Sequence, residues 1–127
     1  MKKIIIIEDD SSLRELYKIV FKSANYDVDE EADSDSALNK LKTKKYDVIL
    51  LDLLFTTSDG ILTIKEIRKS DSINEKTPVI IITNLDHGEL TKKALEEGAD
   101  KILFKASHTP KEIYEEVNAL LSGGNKI

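Results

Sequence analysis

Cysteine is missing from all 127 residues, so the chain can build neither a disulfide framework nor a thiolate metal site. A reducing cytoplasm is the setting this suggests. Long hydrophobic runs are missing as well. No stretch approaches the roughly twenty apolar residues of a membrane span. The start, Met1-Lys2-Lys3-Ile4-Ile5, lacks the long apolar region and cleavage site of a signal peptide. Nor is there an excess of positive charge. With 19 Lys and Arg against 24 Asp and Glu, the formal net charge is −5, which disfavours nonspecific binding to nucleic acid or to a membrane surface. The one lysine-rich stretch, Lys40 to Lys45, reads as a solvated helix end.

What is present fits a soluble domain. Hydrophobic content of 40% beside 34% charged residues gives a core and a well-charged surface, and residues 1–127 are long enough for one domain without staples. Lys3 to Ile7 is a short run of isoleucines, as a strand buried on both faces would be. Ser12-Leu13-Arg14-Glu15 has the form of a capping box opening a helix with Leu13, Leu16, Tyr17, Val20 and Phe21 inward. Tyr26 to Ala32 alternates with acids, the pattern of a half-exposed edge strand. A weaker helix over Ser34 to Thr43 precedes a central strand over Tyr46 to Leu51 that ends on Asp52.

Asp59-Gly60 reads as a turn, followed by a helix from Ile61 to about Lys69. Pro78 introduces the buried strand Val79-Ile80-Ile81-Ile82, which ends at Thr83. Asp86-His87-Gly88-Glu89 looks like another capped start, with Leu90, Ala94 and Leu95 inward and Gly98 closing the helix. Lys101 to Phe104 is a short strand ended by Lys105. Thr109, Pro110 and Glu112 supply cap, first-turn proline and capping carboxylate for a last helix that Gly123-Gly124 stops.

Strands alternating with helices in this way demand a parallel sheet covered on both faces. The most apolar strands are the first, third and fourth, which suits a doubly wound five-stranded sheet of order 2-1-3-4-5. Ligands of such sheets bind outside the carboxyl ends, at the switch between strands one and three. Glu8-Asp9-Asp10, Asp52, Thr83 and Lys105 all fall at carboxyl ends, while strand two offers no such group. Crowded carboxylates repel unless a cation joins them, and an all-oxygen set without His or Cys suits a hard cation, Mg²⁺ first. Such a site has a chemical use: Asp52 as nucleophile toward phosphorus, with the cation and Lys105 neutralising the phosphoryl group and Thr83 donating a hydrogen bond.

Taken together, Ile4 to Asp10, Leu50-Leu51-Asp52-Leu53 with Asp59-Gly60, Pro78 to Thr83, and Gly98-Ala99-Asp100 through Lys105 resemble the blocks of the receiver domain of two-component response regulators, over nearly the whole chain. The resemblance implies a CheY-like, flavodoxin-like (βα)5 fold with Asp52 as phosphoacceptor. It implies Asp9 as a direct Mg²⁺ ligand with Glu8 beside it, although a pairing of Asp9 with Asp10 stays open. The backbone carbonyl of Leu54 completes the protein's ligands, Thr83 is the switch hydroxyl, and Lys105 pairs with phosphate. The implied donor is a sensor histidine kinase or phosphotransfer protein. The implied output is a downstream protein or a second copy, bound through the fourth helix, fifth strand and last helix. No direct contact with nucleic acid or membrane is expected.

Four positions depart from the family pattern. Thr56 replaces a usual Pro, Asn84 a small residue, Ile102 a switch aromatic, and Ala106 the Pro after the lysine. Asn84 and Ile102 motivate a rival reading, a pseudo-receiver of the same fold that binds protein without being phosphorylated. An aspartyl-phosphate phosphatase would want a second acid at Leu54, and a flavin-binding protein a phosphate loop where Glu8-Asp9-Asp10 would repel phosphate. Tyr26, Tyr46, Tyr114, His87 and His108 read as packing or surface residues.

Overall fold

A computed structural model of the chain describes residues 1–53, 59–84 and 88–123. Five strands, β1 (Lys3–Ile7), β2 (Asp27–Glu31), β3 (Val48–Asp52), β4 (Val79–Thr83) and β5 (Lys101–Phe104), form one sheet. All neighbours are parallel, in the order β2-β1-β3-β4-β5. The helices are α1 (Ser11–Ser23), α2 (Ser34–Leu41), α3 (Asp59–Ile67), α4 (Gly88–Glu96) and α5 (Pro110–Leu121), with a single 3₁₀ turn at Lys105–Ser107.

Successive residues of a strand point to opposite faces, and the buried isoleucines divide accordingly. Ile4 and Ile6 join Val48, Leu50, Ile80 and Ile82 under α1 and α5, against Tyr17, Phe21, Ile113 and Val117. Ile5 and Ile7 join Ile49, Leu51, Val79 and Ile81 under α2, α3 and α4, against Ala37, Ile64 and Ala94. Because both faces are covered, β1, β3 and β4 must be apolar throughout, and only Lys3 among those strands' residues is exposed. β2 lies at the edge, every residue half-buried.

Local chemistry departs from the sequence expectation in four places. The cap of α1 is Asp10, whose Oδ1 accepts from the amides of Ser12 and Leu13 at 3.0 and 3.1 Å, so the helix begins before the expected Ser12 box. Leu16 does not face inward; it and Ile19 are about half exposed on the outer side of α1. Asp59-Gly60 opens α3 instead of making a turn, and a Cβ on Gly60 would stand 2.9 Å from Leu53 Cδ1. The glycine serves close packing on β3's continuation. Lys40 and Lys44 are not a free helix end: they pair with Glu31 at 2.8 Å and Asp29 at 2.7 Å, blunting the acidic edge strand. Of the other expected caps, Asp86 and Gly124 lie outside the described residues, and the rest follow the sequence. Thr109 and Glu112 form the reciprocal capping box of α5, and Gly98 takes φ +113° just past α4.

The start of β3, and so the depth at which Asp52 emerges, is set by Asn74. Its fully buried side chain accepts from the Tyr46 amide at 2.9 Å and from Thr77 Oγ1 at 2.9 Å, and donates to the carbonyls of Leu41 and Lys44, each at 2.8 Å. No sequence pattern marked it. Asn74→Ala leaves several buried polar groups unpaired and should cost about 3 kcal/mol of unfolding free energy. Urea denaturation checks this; a loss below about 1 kcal/mol would show that water replaces the amide without penalty.

Candidate functional site

Glu8 and Asp52 come together by register. Ile7 pairs with Leu51 across β1 and β3, so the next residues, Glu8 and Asp52, emerge side by side. By alternation both continue the face of Ile6 and Leu50, the side covered by α1 and α5. Lys105 follows Phe104 at the end of β5 in the same phase as Leu103. Its Nζ lies 2.6 Å from Glu8 Oε1 and 3.0 Å from Asp52 Oδ2. Both carboxylates are fully buried, so this ammonium is shared by two groups with no access to water.

Asp9 is exposed and faces the same mouth. One carboxylate oxygen each of Glu8, Asp9 and Asp52 lies within 4.8 Å of the others. Asp10 is outside this cluster, its carboxylate being spent on the cap of α1. Thr83 closes β4, fully buried on the strand beside Asp52's. Leu54 and Thr56 lie outside the described residues, as does His87.

The electrostatics are those of negative charge packed too densely. Burial first, then a hydrogen bond shared with Asp52, pushes the Glu8 carboxyl up to about 8, and Lys105 pulls it the other way without prevailing. Burial alone would lower Lys105, but Glu8 and Asp52 outweigh it and hold the ammonium above its usual range. Tyr17, on the buried face of α1, is driven up by burial and then by the charges of Glu8, Asp52 and Asp10. An oxygen-only, proton-sharing, lysine-bridged cluster fits a hard divalent cation: a metal would supply the charge that Glu8 otherwise obtains by holding a proton.

Two residues that strand-end reasoning passed over belong to this site. Arg14 of α1 donates from Nη1 to the Glu8 carbonyl at 2.7 Å and from Nε to Glu30 of β2 at 2.9 Å. Thus β2, expected to contribute nothing at its carboxyl end, anchors the acidic loop. The only hint in the sequence is the spacing of Arg14 and Lys18 on one face of α1, because Lys18 also reaches Glu30, at 2.8 Å.

Comparison with known proteins agrees with the fold. The family profile of the response regulator receiver domain matches residues 4–118. The chain belongs to that family. It is 32% identical over 119 residues to the transcriptional regulatory protein ResD of Bacillus subtilis, covering 94% of this chain and 48% of that one. It is 31% identical over 120 residues to the phosphate regulon transcriptional regulatory protein PhoB of Escherichia coli, covering 94% of this chain and 52% of that one. The receiver thus spans about half the length of the curated relatives it matches. Among solved structures, the receiver domain of Francisella response regulator 1452 superposes with a TM-score of 0.82 at 32% identity, over 97% of this chain and 98% of that one. A CheY-like receiver of Methanospirillum hungatei shares the fold at a TM-score of 0.87 and 21% identity, over 97% and 95% of the two chains.

Within the receiver, the departing positions have definite places. Asn84 is exposed just past Thr83. Ile102 is 6% exposed and packed into the core under α2, α3 and α4. Ala106 lies in the 3₁₀ turn after Lys105. Tyr46 donates to Asp29 at 2.6 Å and Tyr26 to Asn118 at 3.4 Å, while Tyr114 packs edge-on against both Phe21 and Tyr26. His108 Nδ1 lies 3.0 Å from the Phe104 carbonyl. Among the described residues no helix is long and apolar enough to cross a membrane.

The raised Glu8 carboxyl fixes a pH dependence. A group that binds its proton more tightly when folded contributes stability in full below its ordinary value of 4.5, and loses it as pH rises through about 8. Metal-free receiver should therefore lose stability over that interval relative to Glu8→Gln, whose neutral amide has no proton to lose. Added Mg²⁺ should restore the unmutated protein most at the alkaline end, and should release a proton on binding at lower pH, where Glu8 still holds one. Thermal melts across pH measure this; parallel curves for the two proteins would mean Glu8 is ionised throughout.

Proposed function

We propose that residues 1–127 form one receiver domain that accepts a phosphoryl group on Asp52 in a Mg²⁺-dependent reaction, donated by a sensor histidine kinase or a phosphotransfer protein. The observation that carries this is the Lys105 ammonium held 3.0 Å from Asp52 beside the three-carboxylate cluster of Glu8, Asp9 and Asp52. Asp9, Glu8, Asp52 and the backbone carbonyl of Leu54 would hold the cation. When bound, it neutralises charge on the phosphoryl oxygens and leaves the Asp52 carboxylate able to approach an anion.

The chain's own residues do the rest. An Asp52 oxygen attacks phosphorus as the donor's P–N bond breaks, and the donor imidazole leaves with that electron pair and recovers a proton. The products are an acyl phosphate on Asp52 and a free histidine. Lys105, already on the Asp52 side of the cluster, exchanges carboxylate for phosphoryl oxygen as its partner. Thr83 donates its hydroxyl to another phosphoryl oxygen, drawing the end of β4 toward Asp52. The protein is in this reading a phosphoacceptor that assists its own modification and hydrolysis, rather than an enzyme with a separate substrate. The setting is the cytoplasm.

The movement of β4 bears on α4, β5 and α5, where Lys101 of β5 already ties to Glu116 of α5 at 3.1 Å. We assign that face to a downstream protein or a second copy. The receiver itself, net acidic, makes no direct contact with nucleic acid or membrane. The pseudo-receiver reading keeps two observations in its favour, Asn84 directly after Thr83 and the burial of Ile102 where the family places a switch aromatic.

Intact-protein mass after incubation with a small phosphodonor decides between them. Unmutated protein with Mg²⁺ should gain one phosphoryl group, while Asp52→Asn and the metal-free sample should gain none. Lys105→Ala should reduce the rate by at least about a hundredfold, as loss of a charge-stabilising donor does. Absence of any adduct beside a reactive control receiver would leave the binding-module reading in place.

A further inference from the structure

The acidic loop between β1 and α1 is fixed atom by atom, and the fixing converges on one residue. The Glu8 amide donates to the Glu31 carbonyl at 3.0 Å, and its carbonyl accepts from Arg14 Nη1 at 2.7 Å. Its Oε2 accepts from the Asp10 amide at 3.1 Å. Asp9 therefore sits between two peptide planes, each held by a side chain. Arg14 sets the Glu8–Asp9 peptide, and the Glu8 carboxylate sets the Asp9–Asp10 peptide. Asp9 itself is exposed, and these two planes fix the direction of its Cα–Cβ bond, from which its carboxylate reaches out.

Arg14 is held in turn. Its Nε pairs with Glu30 at 2.9 Å, and the other Glu30 oxygen pairs with Lys18 at 2.8 Å. Lys18 and Arg14 keep the Glu30 carboxyl below the usual range, so the anchor stays ionised. The guanidinium spends one N–H on a carboxylate of β2 and another on the main-chain carbonyl just past β1. Two N–H groups of one planar fork reach two targets on different strands, which a lysine's single ammonium reproduces poorly.

We infer that Arg14 is a positioning residue for the cation site: its bridge from Glu30 to the Glu8 carbonyl presets Asp9 for Mg²⁺. This rests on the reading of Asp9 as a direct cation ligand. The inference makes a prediction opposite in sign to simple electrostatics. Removing a positive charge near a cation site should by Coulomb's law strengthen Mg²⁺ binding. Loss of a positioning contact should weaken it, by about tenfold on the scale of outer-shell partners of metal ligands.

The test is a Mg²⁺ titration of folded receiver followed by the amide chemical shifts of Glu8 to Asp10, with metal-free melting temperatures recorded beside it. Arg14→Met, which keeps the aliphatic stem, should bind about tenfold more weakly, and Arg14→Lys should recover only part of the loss. Affinity equal to or tighter than that of the unmutated protein overturns the inference. Should Arg14→Met fail to fold, Glu30→Gln, which leaves Arg14 in place without its anchor, should still weaken binding about threefold. Unchanged affinity there overturns it equally. Asp9→Asn separates the two claims. If that variant binds Mg²⁺ as tightly as the parent, the assignment of Asp9 falls and takes the role of Arg14 with it. If Asp9→Asn abolishes binding and Arg14→Met does not weaken it, the assignment of Asp9 stands and only the role of Arg14 is wrong.

Discussion

Two carboxylates buried without access to water and sharing one ammonium constrain everything around them. Glu8 and Asp52 could not both be ionised there unaided, since the cost of desolvating each charge exceeds what one neighbour returns unless the geometry is tight. Lys105 supplies that geometry from β5, which is separated from β3 by a whole strand. At about 4.8 Å per strand the distance is on the order of 10 Å, which demands a long side chain starting at the carboxyl end of β5. The sheet order follows from the same need. β1 and β3 must be adjacent for Glu8 to meet Asp52, and β5 must lie on the β4 side for Lys105 to come in from the other flank.

That dependence explains why the fold was readable. Both faces of a parallel sheet are covered, so interior strands are written as uninterrupted Ile, Val and Leu, and the first polar residue after each marks the ligand side. Ile7-Glu8, Leu51-Asp52 and Ile82-Thr83 are such boundaries. Less readable were signals with two physical solutions. Asp10 and Ser12 can each cap a helix, and only the backbone, extended at Asp10, decides. Asp-Gly usually marks a turn, but Gly60 is needed where α3 presses on Leu53, a contact between segments that no local pattern records.

The site was readable to the same depth. Side chains that act directly stand at strand ends and can be found there; side chains that act through the main chain cannot. Arg14 bonds to a carbonyl and Asn74 to two carbonyls and an amide, so the partner of each carries no sequence signature. Ile102 is a different case. Its position was legible and its chemistry unusual for the family, and its burial in the core shows an aliphatic residue filling the space. At position 102 there is thus no ring to swing and no hydroxyl to exchange partners.

The edge strand joins these threads. β2 reads Asp27-Val28-Asp29-Glu30-Glu31, and an exposed parallel edge carrying four acids would ordinarily be explained as protection against pairing with another chain. Here three of those acids hold cations from both sides: Asp29 with Lys44, Glu31 with Lys40, and Glu30 with Arg14 and Lys18. The Glu31 carbonyl also takes the Glu8 amide, continuing the β1–β2 ladder into the acidic loop. One of these acids, Glu30, thus also holds the loop, through Arg14. A change that loosens β2 loosens the cluster, although no β2 side chain enters it. Edge and site meet in one ion pair, Arg14 with Glu30, whose guanidinium also holds the Glu8 carbonyl.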